Sequence, residues 1–333
     1  MLDTDTFLTT LYVVADAFCR DHAPALPRDL HPGPAPSLTR SEVVTLALYG
    51  QWARFGSERA FYRYATVHLR AAFPTLPRRS QLNRLLRRHQ EAITAFGLWL
   101  GRRVARATDA AYEALDGTAA VVRNAKRRGT GWLPGQADRG WSTRLGWYEG
   151  FHVLTAVAPV GAITGFGAAP ASTNDRFLAD TLFAARATRA AADAGTTGLP
   201  SAGLPSAGLA PAAPGGSGAT AYAMDSGFAG AEWEAHWAAT YGVHAVCAPQ
   251  RGSHRHRAWP AALRRWFAGV RQIVETVNDR LLHSFRLATD RPHDRAGFLA
   301  HLAAKVALHN FCIWLNGTLA RPPLAFADLI DWP

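Results

Sequence analysis

Apolar positions in the first hundred residues recur every three or four places, which predicts helices. Thr39-Arg40-Ser41-Glu42 has the form of a capping box, and Val43, Val44, Leu46 and Ala47 begin an apolar stripe behind it. Ser57-Glu58-Arg59 predicts a second helix start, with Phe61, Tyr64 and Leu69 along it. Pro74-Thr75-Leu76-Pro77 must interrupt that helix, because proline lacks the N–H donor and clashes with the preceding turn. A third helix is predicted from about Ser80 through Leu82, Leu85, Leu86 and Ile93 towards Leu98. Helix, break, helix is the pattern of a helix-turn-helix unit.

Near Ala110 the pattern changes to short strands. Ala111-Tyr112-Glu113-Ala114-Leu115 predicts a strand ending at Asp116-Gly117. Gly150 to Val157 and Ala162 to Phe166 predict two more, joined by a hairpin loop at Pro159-Val160-Gly161. Asn174-Asp175-Arg176 opens a helix with Phe177, Leu178, Leu182 and Phe183 on one face. Ala221 to Met224 is a fourth strand ending at Asp225-Ser226-Gly227, Ala231 to Thr240 a helix, and His244 to Ala248 a fifth strand. A long helix follows from about Ala261 to Phe285, with Leu263, Trp266, Val270, Val274, Val277 and Leu281 as its buried stripe. Phe298 to Leu319 reads as a last helix packed on the core. The expected fold is α/β: a ribonuclease-H-like core, a five-stranded mixed sheet with helices, preceded by an all-helical region. The expected divisions are 1–108, 109–290 and 291–333. A low-complexity insert at 194–219 carries the repeat Gly198-Leu199-Pro200-Ser201-Ala202, Gly203-Leu204-Pro205-Ser206-Ala207, and is expected to be a surface loop.

Composition narrows the classes. Hydrophobic residues make up 48%, enough for a folded core. Three cysteines, at 19, 247 and 312, are too few and too scattered for a disulfide framework or a four-ligand zinc site. Asp3 and Asp5 stand where a signal peptide would carry basic residues, and apolar runs break early, so a soluble cytoplasmic protein without a membrane span is expected. There is no P-loop, no H-E-x-x-H and no G-x-S-x-G.

The charge is basic, with 36 Lys and Arg against 25 Asp and Glu and a net of +11. Only Lys126 and Lys305 are lysines. Leu69 to Arg106 holds nine arginines and one acid, Glu91, and Arg251 to Arg271 holds six arginines, His254, His256 and no acid. Such clustering favours a polyanion, nucleic acid by default. The expected contacts are Arg78, Arg79, Gln81, Asn83, Arg84, Arg87 and Arg88 at the third helix, then Lys126, Arg127, Arg128, Arg255, Arg257, Arg264 and Arg271.

Carboxylates supply the candidate chemistry. Asp116 and Asp225 follow the first and fourth strands, and parallel neighbours in one sheet would put them side by side. Glu275 lies one step off the buried stripe of the long helix and can look back at the sheet edge. Three hard oxygen ligands around one point suit Mg²⁺ or Mn²⁺, and a pair of such ions suits phosphodiester chemistry. Glu113 and Asp138 compete with Asp116, Asp175 and Asp180 with Asp225, and Asp279 with Glu275.

With these residues in view, the chain resembles bacterial insertion-sequence transposases of the DDE type, in the group called insertion sequence nine-eight-two. The resemblance rests on the stretches from Leu38 to Leu48, Ser57 to Phe61 and Phe73 to Arg84. It continues through Leu115-Asp116, Gly135 to Gly140, Gly146 to Phe151 and Ala169 to Arg176, and ends with Gln272 to Val277 and Lys305 to Asn310. It implies a DDE triad at Asp116, Asp225 and Glu275 and a cofactor of two Mg²⁺ ions, with Mn²⁺ able to substitute. It also implies double-stranded DNA as partner, both element ends and target, and a homo-oligomer assembled on those ends. Ser226-Gly227-Phe228 departs from the group's pattern, which often has a basic and an aromatic residue around that glycine. Two other classes stay open: a non-catalytic DNA-binding protein derived from a transposase, and a nuclease that cuts without joining.

Overall fold

Local chemistry starts each of the first helices. The computed structural model describes residues 1–27, 36–108, 111–123, 133, 135–195, 221–249 and 259–332. A two-residue strand, β1 (Leu2–Asp3), ends in the cap of α1 (Thr4–Asp21), where the Asp3 carboxylate accepts from the Thr6 N–H at 2.8 Å. The expected capping box starts α2 (Arg40–Tyr49): Thr39 Oγ1 accepts from the Glu42 N–H at 3.3 Å, and Glu42 Oε2 accepts from the Thr39 N–H at 2.6 Å. Ser57 caps α3 (Glu58–His68) by accepting from the Ala60 N–H.

The third expected helix is two helices, α4 (Arg79–Arg88) and α5 (Gln90–Arg106), divided at His89. The apolar stripe runs on across the break through Leu82, Leu85, Ile93 and Phe96, so periodicity alone does not reveal it. His89 leaves helical geometry (φ −92°, ψ 13°) and is itself buried. The break frees α5 to lie along the last helix of the chain while α4 packs on α2.

The sheet contains β2 (Tyr112–Arg123), β3 (Asp138–Ser142), β4 (Gly146–Val157), β5 (Ile163–Pro170), β6 (Ala221–Met224) and β7 (His244–Cys247). Its helices are α6 (Asp175–Gly195), α7 (Ala231–Tyr241), α8 (Ala261–Asp279) and α9 (Arg295–Thr318), and a short π-helical turn, Arg280–Ser284, follows α8. A two-residue β8 (Ile330–Asp331) pairs parallel with β1. The strand order is β3-β4-β2-β6-β7, with β5 also on β4. β3 pairs with Gly146 to Gly150 of β4 and β5 with Phe151 to Val157, so the two share one edge of β4. The pairings of β2, β3 and β5 with β4 are antiparallel, and those of β6 with β2 and β7 are parallel. The architecture is a mixed α/β sheet with helices.

Three expectations need correction. β3 was not expected, since Asp-Arg-Gly-Trp-Ser is short and carries a glycine. β2 does not stop at Asp116-Gly117 but runs to Arg123, because β4 pairs with it over the whole stretch while β6 pairs only as far as Leu115. Leu263 and Trp266 on α8 are exposed, and the buried stripe begins at Phe267 and continues through Val270, Val274 and Val277.

The two sheet faces belong to different cores. Leu115, Leu154 and Met224 pack with Leu178, Leu182, Phe183 and Trp237 of α6 and α7. On the other face, Ala114, Phe151 and Val153 join one core that runs without interruption through α1, α2, α5, α8 and α9. Phe151 stacks on Phe298 of α9 with ring centroids 4.3 Å apart, and Phe7 of α1 meets Phe311 of α9 edge to face at 5.4 Å. Asn310 ties three elements together: its amide donates to the carbonyls of Gly97 and Ile163, and its carbonyl accepts from the Ile163 N–H, each at 2.8 Å. By length and composition α9 could cross a membrane, contrary to the early breaks expected, but 89% of its most apolar 18-residue window is buried inside the protein.

Candidate active site

The sheet register assembles the site. Leu115 and Met224 are the last paired residues of the parallel strands β2 and β6, and Asp116 and Asp225 are the next residues on each. Both line a cleft of about 500 Å³, together with Arg139, Trp141, Trp147, His152 and Asp175. Asp225 is fixed by its own turn, its Oδ1 accepting from the Gly227 N–H at 2.6 Å.

Asp116 is held from behind. Asn278 on α8 donates its amide to Asp116 Oδ2 at 3.1 Å, and its carbonyl accepts the buried Thr155 hydroxyl at 2.8 Å. That second bond fixes the amide's orientation, so Asn278 is a positioning residue for the acid. Burial, then the neighbouring Asp225 and more weakly Glu275, push the Asp116 carboxyl up to about 7, against the opposing pull of Arg271 and Asn278. Asn278 was not among the expected site residues. Its position three places after Glu275, on the same helical face, is the signal that could have found it.

Glu275 belongs to this electrostatic group but stands at its rim. Its side chain is 57% exposed, and it accepts from Arg271 at 3.0 Å in an i, i+4 pair. Among the described residues no three His, Cys, Asp or Glu side chains form a ready-made metal centre. Asp116 and Asp225 present adjacent carboxylates to the cleft, while Glu275 is paired with Arg271 at its rim.

Most competing acids are engaged elsewhere. Glu113 is buried against Arg186 at 2.5 Å, Asp138 binds the Ser172 N–H and hydroxyl, Asp180 pairs with His236, and Asp279 with His283. Asp175 is the exception, since it enters the cleft. Its Oδ1 lies 2.9 Å from His152 Nε2, while His152 Nδ1 is 3.1 Å from the Thr173 carbonyl oxygen. A carbonyl only accepts, so Nδ1 carries a proton. Burial would lower the His152 pKa, but Asp175 and Thr173 outweigh it and the net shift is upward. The space for this pair exists because Gly117 has no side chain; a Cβ there would collide with His152 Nε2.

The expected DNA contacts separate into groups. Arg78, Arg79, Gln81, Arg84, Arg87 and Arg88 are exposed on and just before α4. Arg87 also lies 3.4 Å from Asp294. Asn83 is not available to read a base, since it is half-buried and donates to Glu58 at 2.6 Å. Arg264 is half-buried and donates to the Trp259 carbonyl at 3.0 Å, and Arg271 belongs to the acidic site. Lys126, Arg127, Arg128, Arg255 and Arg257 lie outside the described residues, as do His254, His256 and the Gly-Leu-Pro-Ser-Ala repeat.

No family model, curated protein or solved structure matches the chain.

Proposed function

We propose that the protein is a DDE-type DNA transposase of the insertion sequence nine-eight-two group, with a ribonuclease-H-like catalytic core. The observation that carries this reading is the register that sets Asp116 beside Asp225 at the end of paired parallel strands, with the Glu275 helix behind them. The order β5-β4-β2-β6-β7, three strands antiparallel and then two parallel, supports the core assignment. The basic surface of α4 supports DNA as the partner.

The donor set fits a hard divalent cation. Carboxylates are the oxygen ligands Mg²⁺ and Mn²⁺ prefer, and the upward shift at Asp116, caused first by burial and then by Asp225, is one that a bound cation would oppose. Asp116, Asp225 and Glu275 would be the residues that hold such ions. Bound there, they would supply an activated nucleophilic oxygen and stabilise the leaving oxygen in phosphodiester hydrolysis and strand transfer. The chain's own residues do the rest. Asn278 holds Asp116 by its Oδ2, and the Gly227 N–H holds Asp225 by its Oδ1. Arg271 restrains Glu275 and offers a guanidinium to a phosphate once that glutamate turns inward. His152, hydrogen-bonded to Asp175 on the cleft wall, holds that second carboxylate in place beside the acids.

The test uses labelled duplex carrying the element ends, with Mg²⁺ or Mn²⁺. Asp116→Asn, Asp225→Asn and Glu275→Gln should each lower nicking by about three orders of magnitude or more while DNA affinity stays within about threefold. That affinity should fall steeply with salt, as neutralised phosphates release counterions. Wild type that binds the ends and never nicks would sink the enzyme reading; nicking without joining would leave a nuclease.

A further inference from the structure

The hairpin of β3 and β4 carries a feature that acid chemistry does not use. Its strands read Arg139-Gly140-Trp141-Ser142 and Gly146-Trp147-Tyr148-Glu149. Alternation sends Gly140 and Tyr148 inward, where both are buried. The same alternation sends Trp141 and Trp147 outward, directly opposite each other in the register. They are 59% and 66% exposed, and both line the cleft that holds Asp116 and Asp225.

This arm is held firmly. Ser142 Oγ accepts from the Leu145 N–H at 3.2 Å, and Gly146 adopts the positive φ of 68° that the turn back into β4 needs. At the base of β3, Asp138 is bound by Ser172 and the Gly140 backbone sits against Ala171, where no side chain would fit. Two indoles are thus presented in a fixed place on the wall of an acidic cleft. Arg139 lines that wall and Arg144 is exposed at the turn. The outward acid of the arm, Glu149, is half-buried and lies across the ladder from Arg139.

A surface of flat apolar rings edged by guanidinium groups matches a flat ligand whose attachments are anionic. We propose that Trp141 and Trp147 form a stacking platform for a nucleobase drawn out of its helix, with Arg139 and Arg144 on the neighbouring phosphates. Base faces stack on aromatic rings with little regard to sequence, whereas a base inside a duplex has no free face to offer. The platform therefore distinguishes unpaired from paired DNA at the mouth of the cleft. It holds the strand there while a phosphodiester lies against the carboxylates. This rests on the polynucleotide reading of the cleft but not on its chemistry.

The experiment measures binding of full-length protein, without divalent metal, to three probes: a twenty-residue oligothymidylate, a duplex with a single unpaired base, and the fully paired duplex. Wild type should bind the first two with quenching of indole fluorescence. Trp141→Ala with Trp147→Ala should weaken them by about ten- to hundredfold and the paired duplex by less than about twofold. Trp141→Phe with Trp147→Phe keeps aromatic faces and should retain most of the affinity. Circular dichroism checks that the variants fold, as expected for side chains this exposed. Equal losses on all three probes, or no loss on any, would overturn the platform. So would a double alanine variant that changes only the sedimenting mass, which would assign the indoles to a contact between copies. A wild type that binds no DNA at all would overturn the reading of the cleft itself; one that binds DNA without regard to the tryptophans overturns only the platform.

Discussion

At Asp116, burial and a neighbouring carboxylate act in the same direction, so the folded protein holds this proton up to about pH 7. An unfolded chain releases it near pH 3.9. Below pH 4 both states are protonated and the residue is neutral to stability. Between about pH 4 and 7 the unfolded state ionises first, so the folded state loses stability as pH rises, with the full loss present above 7. Asp116→Asn removes that slope while keeping an acceptor for Asn278. Without divalent metal, its melting temperature should exceed wild type by about 3–6 °C at pH 8, the gap should shrink at pH 5, and the two should converge at about pH 4 and below. Mg²⁺ should raise the wild-type melting temperature at pH 8 and leave the variant unchanged. A gap that is the same at pH 5 and pH 8 would show that the carboxyl is not strained by its surroundings. Asn278→Ala tests the support. It frees Asp116 and strands the Thr155 hydroxyl, so it should cost about 1–3 kcal/mol and lower nicking at least tenfold. Unchanged nicking would remove Asn278 from the site.

Among the elements, what was legible in the sequence was local. The capping box at Thr39 and Glu42 is written within four residues, and the strand from Ala221 to Met224 stands between two turn signals. What escaped depended on partners far along the chain. Asp116-Gly117 looks like a strand end, yet β4 keeps β2 extended past it. Nothing near His89 breaks a helix by itself; the division shows only in the packing, where α5 lies along α9 and α4 lies on α2. The placement of Asp116 beside Asp225 was legible because each carboxylate follows a short apolar run, which is a local sign. Asn278 carried only its spacing from Glu275, and His152 no local sign at all, because it meets Asp175 only once β4 and α6 come together. The packing of α5 on α9 is tight enough to test at one atom. A Cβ on Gly101 would fall inside contact distance of the Ile163 carbonyl and the Asn310 amide, and one on Gly97 would lie 2.9 Å from the Ala307 backbone. Gly101→Ala should cost about 3 kcal/mol or more by denaturant titration, despite alanine's better helix propensity. A neutral effect would show that these helices can slide apart.

The whole molecule is organised around charges buried where front and back meet. Lys305 is fully buried on α9, with its ammonium 2.9 Å from Asp290 Oδ2 and 2.6 Å from Gln51 Oε1. His301 sits between Asp290 and Glu58, and Glu58 also takes the Asn83 amide. Asp290 is largely buried, yet Lys305 and His301 hold its carboxyl well below the usual range. None of this is visible in the sequence, where Lys305 is one cation in an apolar helix. Asp290→Asn would leave Lys305 buried without its counter-charge and should cost about 3–5 kcal/mol, read as a lower denaturant midpoint. The same network joins α2 and α3 to α9. A fragment ending at residue 108 should therefore show no cooperative melting, since the face α5 turns to α9 would be in water. A sharp transition from that fragment would contradict a shared core.

That shared core also sets when the protein can become itself. Roughly 190 residues separate the end of α5 from the start of α9. At ~5–20 residues per second, a ribosome needs about ten to forty seconds to bring the second helix out after the first. During that interval the nascent helices keep an apolar flank uncovered, and Gln51 and Glu58 wait for Lys305 and His301. Chaperones that hold emerging chains would meet this flank first. The surface of α4 would reach its final shape only after α9 has emerged and packed.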